Sequence, residues 1–413
     1  MISFRKHTLS NGLRVIVCPS PLTSVAVFNM FYRVGARAEN ENRTGFAHLF
    51  EHLMFGGSAN VNDFDYEVGR VGGDNNAYTT NDFTNYYMTM PADNIETAFW
   101  LESDRLLAPT LSHQTLDVQR KVVVEEFTQN YLNRPYGDIT HHARDLAYKV
   151  HPYRWPTIGL RPQHILDASL QEVRDFFFAN YTPDNAVLSV VGNVDADHIF
   201  ALAEKWFADI NRTAVGINPP AEPLQTEARR KVVYASVPSD KIEIMYHVGS
   251  RFSSEFYLAD VMTDILADGE SCRFVQDFVR GSRTCVNVDA HTTGAVDPGL
   301  LTLSATLADG VKPEDVEAKL LEHIHRFATD GPTPHEMQKV FNRIESSAVM
   351  SEISAQNIAE RICFYEAFGG NAELINSEIE TYRSITADQL KDFARNICRP
   401  ENSNTLFYLA KKD

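Results

Sequence analysis

Phe31-Tyr32-Arg33-Val34-Gly35-Ala36-Arg37 returns later in the chain as Met245-Tyr246-His247-Val248-Gly249-Ser250-Arg251, with Tyr, Val, Gly and Arg at one fixed offset. Repetition on this scale marks two structural copies. In each copy an apolar stretch leads into the repeat, and a polar loop and a helical pattern follow. Between the copies the sequence turns to Pro219, Pro220, Pro223 and scattered polar residues, which is linker chemistry. We therefore expect one domain over 1–215, a linker over 216–228 and a homologous domain over 229–413.

Working outward from the first copy, Asn11-Gly12 stands between His7-Thr8-Leu9 and Leu13-Arg14-Val15-Ile16-Val17, a pattern that predicts a β-hairpin. A strand is expected over 25–34, a helix over 45–55, and two strands over 76–80 and 84–90. Helical spacing then covers 93–107 and 112–131, with Ser112 as a cap and Arg134-Pro135-Tyr136-Gly137 as the stop. A helix at 170–180, a buried strand at 186–191 and a helix at 196–210 close the first copy. Strand pairs and helix pairs without regular βαβ alternation predict an α+β fold with mostly antiparallel sheets.

The chain has 413 residues, too many for one small core, and its 44% hydrophobic and 23% charged composition is that of a globular protein. A formal charge of −17 repels phosphate backbones and anionic lipid, so nucleic acid is not an expected partner. No apolar run approaches the ~18 residues of a membrane span, and the N-terminal text lacks the apolar core of a signal peptide. The expectation is a cytoplasmic protein; whether a leader precedes Met1 stays open. Five scattered cysteines, none in a C-x-x-C pair, read as reduced thiols.

Within the first helix, His48-Leu49-Phe50-Glu51-His52 forms H-x-x-E-H. At ~100° per residue His52 lies ~40° from His48, and Glu51 ~60° to the other side, so all three share one face. Two imidazoles one turn apart can converge on a zinc ion, and a neighbouring carboxylate can take a proton from water. The same residues also read, without chemistry, as two helix-packing histidines. A catalytic zinc wants a third protein ligand. In the helix over 112–131, an apolar stripe through Leu116, Val123, Phe127 and Tyr131 puts Glu126 on the inner side and Glu125 on the outer. The second copy has no His in its equivalent helix near 257–267, so this chemistry is not a requirement of the fold. His141-His142, His247, His291, His323 and His325 lack such a partner pattern and read as ordinary surface or packing residues.

H-x-x-E-H followed by a helical Val122-Val123-Val124-Glu125-Glu126 resembles the pitrilysin or insulinase family of inverzincin metallopeptidases, which includes the mitochondrial processing peptidase. Gly73 through Asn76-Ala77-Tyr78-Thr79, Leu101-Glu102-Ser103-Asp104-Arg105, His151-Pro152-Tyr153, and Asn180-Tyr181-Thr182-Pro183-Asp184-Asn185 strengthen the resemblance across most of the first half. The resemblance implies zinc held by His48, His52 and Glu126, with Glu51 as general base. It implies an edge strand at Asn76 and Ala77 onto which an extended peptide adds. The second half is similar to the family's inactive sister domain, with Gly269 to Phe274 at an expected turn and Arg280 at a substrate-contacting arginine. Two positions depart: Asn287 stands where the family has a tyrosine, and Gln119 where many members have a glutamate.

The function so implied is zinc-dependent hydrolysis of extended peptides or unfolded segments. Four such domains enclose a cavity in the family, which implies a homodimer or a heterodimer with a related subunit. The competing expectation is a non-catalytic assembly subunit with a vestigial or structural metal site; a zinc hydrolase acting on something other than peptides finds no pocket signature in the text.

Overall fold

The computed structural model describes residues 1–411. Asn11-Gly12 joins β1 (Arg5–Thr8) to β2 (Arg14–Pro19), with Gly12 at φ +91° and its N–H donating to the Leu9 carbonyl. There follow β3 (Val25–Tyr32), α1 (Phe46–Leu53), α2 (Phe64–Arg70), β4 (Asp74–Thr79), β5 (Thr84–Pro91), α3 (Glu96–Leu107) and α4 (His113–Phe127). Next come α5 (Ile139–Ala147), α6 (Pro162–Leu166), α7 (Leu170–Asn180), β6 (Ala186–Gly192) and α8 (Ala196–Phe207). No helix or strand lies between Phe207 and Arg229. The second half runs β7 (Arg229–Ala235), β8 (Lys241–Val248), α9 (Ser254–Ala267), β9 (Cys285–Thr292), β10 (Gly299–Leu307) and α10 (Pro313–Asp330). It ends with α11 (Pro334–Ser351), α12 (Ala355–Gly369), α13 (Leu374–Arg383), α14 (Ala387–Ile397) and β11 (Ser403–Ala410).

The first sheet has the order β1-β2-β6-β3-β5-β4 and the second β7-β11-β8-β10-β9. Leaving out β1, the two orders superpose strand for strand, each with one parallel pair, β2 with β6 and β7 with β11, in an otherwise antiparallel sheet. The repeated Tyr-x-Val-Gly-x-Arg stretch begins at the C-terminal ends of the equivalent strands β3 and β8 and runs on into the loops after them, and α1 and α9 follow in equivalent places. The fold is α+β, in two copies.

The chain divides into two compact units: 1–128 with 155–220 and 349–377, and 129–154 with 221–348 and 378 onward. Each half of the sequence therefore lends a segment to the other unit, α5 to the second and α12 to the first, where the linker alone suggests two contiguous spans. In each unit the lent helix covers one face of the sheet and helices of that unit's own half cover the other. In the first unit Phe28 of β3 packs on Phe99 of α3, ring centroids 5.0 Å apart. Its neighbour Asn29 points the other way, toward Cys363 of α12, and Ser189 of β6 donates to the Ala359 carbonyl at 2.8 Å. In the second unit Ile242, Ile244 and Tyr246 enter one core with α9, α10 and α14, while Met245 joins the other with Ile139, Ala143 and Leu146 of α5.

The expected helix over 112–131 is shorter. Ser112 caps it and forms a capping box with Thr115, but α4 ends at Phe127 and widens into a π turn over Thr128–Leu132, where the chain leaves the first unit. All five cysteines are free, four of them buried. Among the described residues, no helix is long and apolar enough to cross a membrane.

Candidate metal centre

α1 buries Phe46, Ala47, Leu49, Phe50 and Leu53, which leaves His48, Glu51 and His52 together on its half-buried side. α4 lies against α1 and buries Leu116, Val123 and Phe127, so Glu126 is half-buried and Glu125 exposed.

His48 Nε2 and His52 Nε2 stand 3.4 Å apart, with their rings at 90°. Glu126 Oε2 is 3.5 Å from His48 Nε2, and Glu126 Oε1 is 3.6 Å from His52 Nε2. Three donors about 2.0–2.1 Å from one tetrahedral cation would be separated by about 3.4 Å, so the triangle has the edge length of a metal site. Among the described residues this is the one group of three His, Cys, Asp or Glu side chains brought so close, all donor atoms within 4.8 Å. Burial, and then the neighbouring His52, push the His48 pKa down to about 4, which keeps its imidazole neutral and able to donate a lone pair. His48 Nδ1 is buried without a hydrogen-bond partner.

Glu51 is held apart from the triangle, its Oε2 accepting the Thr79 hydroxyl at 2.7 Å. Burial raises its pKa, against the pull of the Thr79 hydroxyl and of His52, with Glu126 adding to the rise. Asn76 and Ala77 lie on β4, the edge strand of the first sheet, and α1 packs beside that strand. The Ala77 N–H donates to Asn76 Oδ1 at 2.8 Å. Arg280 belongs to the second unit, exposed and paired with Glu270, and Asn287 is exposed on β9.

Sequence reasoning missed Glu39. The helix start, Gly45, has φ +90° and no side chain to cap the free N–H groups of α1. Glu39 does so from six residues upstream: it accepts the Gly45 N–H and the Ala47 N–H, each at 2.8 Å. It also missed Thr79 as the partner of Glu51. No periodicity marks either residue; an acid in a polar loop and a threonine in a strand are common.

The Leu101–Arg105 motif is structural. Arg105 is 1% exposed, its guanidinium 4.4 Å from the Tyr86 ring and 4.5 Å from the Phe64 ring, and it pairs with the buried Glu102, which accepts the Tyr32 hydroxyl. Four of the histidines set aside earlier sit in ordinary pairs: His142 with Asp138, His291 with Asp289, His323 with Asp277, and His247 with the Ala147 carbonyl.

Residues 14–157 match the family described as Insulinase (Peptidase family M16), and residues 167–344 match Peptidase M16 inactive domain. The chain is 27% identical over 359 residues to the zinc protease PqqE of Helicobacter pylori, covering 85% of this chain and 81% of the relative. It is 28% identical over 262 residues to the mitochondrial-processing peptidase subunit beta of Saccharomyces cerevisiae, covering 62% and 56%. The crystal structure of a protease from Helicobacter pylori superposes with a TM-score of 0.93 at 25% identity, covering 99% of this chain and 100% of that one.

Proposed function

Because the chain belongs to the insulinase (M16) family of peptidases, matched in both halves, we propose that it is a zinc-dependent peptidase that hydrolyses peptide bonds in extended peptides or unfolded segments. The observation that carries this reading is the His48, His52, Glu126 triangle, with edges of 3.4, 3.5 and 3.6 Å. Two imidazole nitrogens and one carboxylate oxygen suit zinc and leave a fourth position open. Related chains that carry the name zinc protease support the choice of metal. When bound, zinc lowers the pKa of a water and polarises a carbonyl oxygen.

Glu51 does the proton work: it takes a proton from the attacking water and returns it to the leaving amine nitrogen. Its raised proton affinity suits a base that must hold that proton briefly, and Thr79 fixes the direction of its carboxylate. The substrate backbone extends β4 beyond its free edge. There the Ala77 N–H, turned to Asn76 Oδ1 and not into the ladder, becomes a donor for a substrate carbonyl. Arg280 is the further substrate contact that the family resemblance implies. Asn287 offers an amide where the family resemblance implies a phenol. A second copy or a related subunit completes the enclosure, a reading supported by the yeast relative, which is named a subunit.

Metal analysis combined with cleavage of a quenched unstructured peptide tests the proposal, on the wild type and on Glu51→Gln. The expected result is one zinc per chain in both proteins and a ~10²–10⁴-fold loss of cleavage in the variant. A variant that binds zinc and cleaves as fast as wild type overturns the role of Glu51; a zinc-loaded wild type that cleaves nothing, alone or mixed with a related subunit, overturns the peptidase reading.

A further inference from the structure

Away from the metal-site residues, the first unit gathers arginines in a chain whose net charge is −17. Arg33 follows β3, Arg37 sits in a short turn over Ala36–Ala38, and Arg14 lies on β2. The guanidinium carbons of Arg33 and Arg37 stand 5.8 and 5.6 Å from the centre of the same Phe368 ring. Arg37 has an acid beside it, Asp82, with Nε to Oδ1 at 3.4 Å. Among the described residues Arg33 has none within ion-pair distance, and its Nε is buried without a hydrogen-bond partner. A second buried nitrogen, on Arg14, is likewise unpartnered, although that guanidinium also donates to the Glu366 carbonyl at 3.0 Å. Burial first, and then Arg14 and Arg37, lower the proton affinity of Arg33, while Asp184 opposes them, so these charges feel one another.

Like charges held together with buried donors unsatisfied cost folding free energy, and an anion relieves both costs. The space for one is present: a pocket of about 210 Å³ lined by Arg33, Arg37, Asp184, Asn185, Ala214 and Ile217. Asp184 is part of its chemistry. Its Oδ1 already accepts the Thr182 hydroxyl at 2.6 Å and the Ala214 N–H at 3.0 Å, whereas its Oδ2 accepts only that N–H, at 3.2 Å. Guanidinium forks match tetrahedral oxyanions. A carboxylate beside them favours an anion that carries a proton to donate, which phosphate does near neutral pH and sulfate does not.

We propose that the Arg33 pocket binds a phosphate group, free or on a small phosphomonoester. Phosphate bridges Arg33 and Arg37 and donates its proton to Asp184.

The test is thermal unfolding of the zinc-loaded full chain by circular dichroism, with inorganic phosphate, glycerol phosphate, sulfate or chloride at matched ionic strength, alongside the Arg33→Gln variant. At roughly ten times the Kd, phosphate is expected to raise Tm by about 3–6 °C in the wild type, and further with the logarithm of its concentration. The shift is expected to be smaller with sulfate and lost in Arg33→Gln. Glycerol phosphate acting like phosphate identifies the phosphate group as the ligand chemistry; inorganic phosphate acting alone restricts the site to the free ion. Phosphorus-31 line broadening on titration with wild-type protein gives a reading that does not depend on the variant. No shift and no broadening overturns the proposal. So does an equal shift with sulfate, or a shift that survives in Arg33→Gln, which would place the anion elsewhere, the metal site included.

Discussion

Replacing Glu39 by Ala tests whether the metal-ligand helix is anchored from outside itself. Glu39 is 8% exposed, and its carboxyl group accepts the N–H groups of Gly45 and Ala47 at 2.8 Å each. Each buried donor left without an acceptor costs about 1–3 kcal/mol. Two such donors, with part of the loss recovered by water entering the vacated space, give about 3 kcal/mol, or a fall in Tm of about 6–12 °C for a unit of this size. Because His48 directly follows Ala47, loosening the first turn also displaces a ligand, and zinc affinity should fall ~10–100-fold, as for other groups that orient ligands. Thermal unfolding of the metal-free protein and zinc titration against a competing chelator read the two effects separately. Glu39→Gln keeps the shape and one acceptor oxygen and should lose about half as much stability. It also supplies a pH signature. Burial pushes the Glu39 pKa up to about 8, above its unfolded value of 4.5, despite the pull of the N–H donors. A raised folded pKa contributes stability that is full below the unfolded value and is lost as pH rises through the folded one. Wild type should therefore lose stability relative to Glu39→Gln between pH 4.5 and 8. If Glu39→Ala melts within about 1 °C of wild type, the anchoring argument is wrong; if it melts low but binds zinc as tightly, Glu39 braces the fold without positioning the ligands.

Glu126→Gln should leave the circular dichroism spectrum unchanged, since the side chain is 36% exposed, while zinc retained after dialysis falls at least ~100-fold in affinity. Glu336 governs acid stability in the second unit. Burial acts upward on its pKa, but Arg273 at 2.6 and 2.8 Å and the Thr333 N–H and hydroxyl bring it down to about 2. A depressed folded pKa gives stability that is present above 4.5 and lost as pH falls toward 2. Discounted for partial exposure, Glu336→Gln should cost about 1–2 kcal/mol at neutral pH and nothing near pH 2, read from urea unfolding at each pH.

The parts of the molecule that could be read in its sequence are those with a local period. H-x-x-E-H places three side chains by helix geometry alone, and the apolar stripe of α4 separates Glu126 from Glu125. The repeated Tyr-x-Val-Gly-x-Arg stretch foretells two sheets of one strand order, because equivalent strands bury equivalent residues: Tyr32 is 0% and Tyr246 1% exposed. The exchange of α5 and α12 between units leaves no such trace. Ser189 to Ala359 and Met245 to Leu146 are contacts across long stretches of chain, and amphipathic spacing says that a helix has an apolar face without saying which sheet receives it. The end of α4 escaped for a related reason. Tyr131 continues the apolar stripe, but the ladder widens into a π turn at Thr128, where the chain changes unit, and that demand is tertiary.

The two copies also show where the metal-site helix differs from its counterpart. α9 starts in the ordinary way, with Ser253 accepting the Phe256 N–H. A serine cannot do this for α1. Gly45 sits at φ +90°, and a Cβ there would lie 2.8 Å from the Ile158 carbonyl oxygen and 3.0 Å from Ile165 Cδ1. The backbone of 158 and the side chain of 165 press against the start of α1 so closely that no capping residue fits, and the acceptor has to come from Glu39. A helix held on one side by that contact and on the other by a buried carboxyl group cannot slide or unwind at its first turn, and His48 belongs to that turn. Under this argument the tight glycine, the remote acid and the ligand are one device: relaxing Gly45 or Glu39 moves His48, whereas the same loop in the second copy, with no ligand to place, keeps the simpler cap.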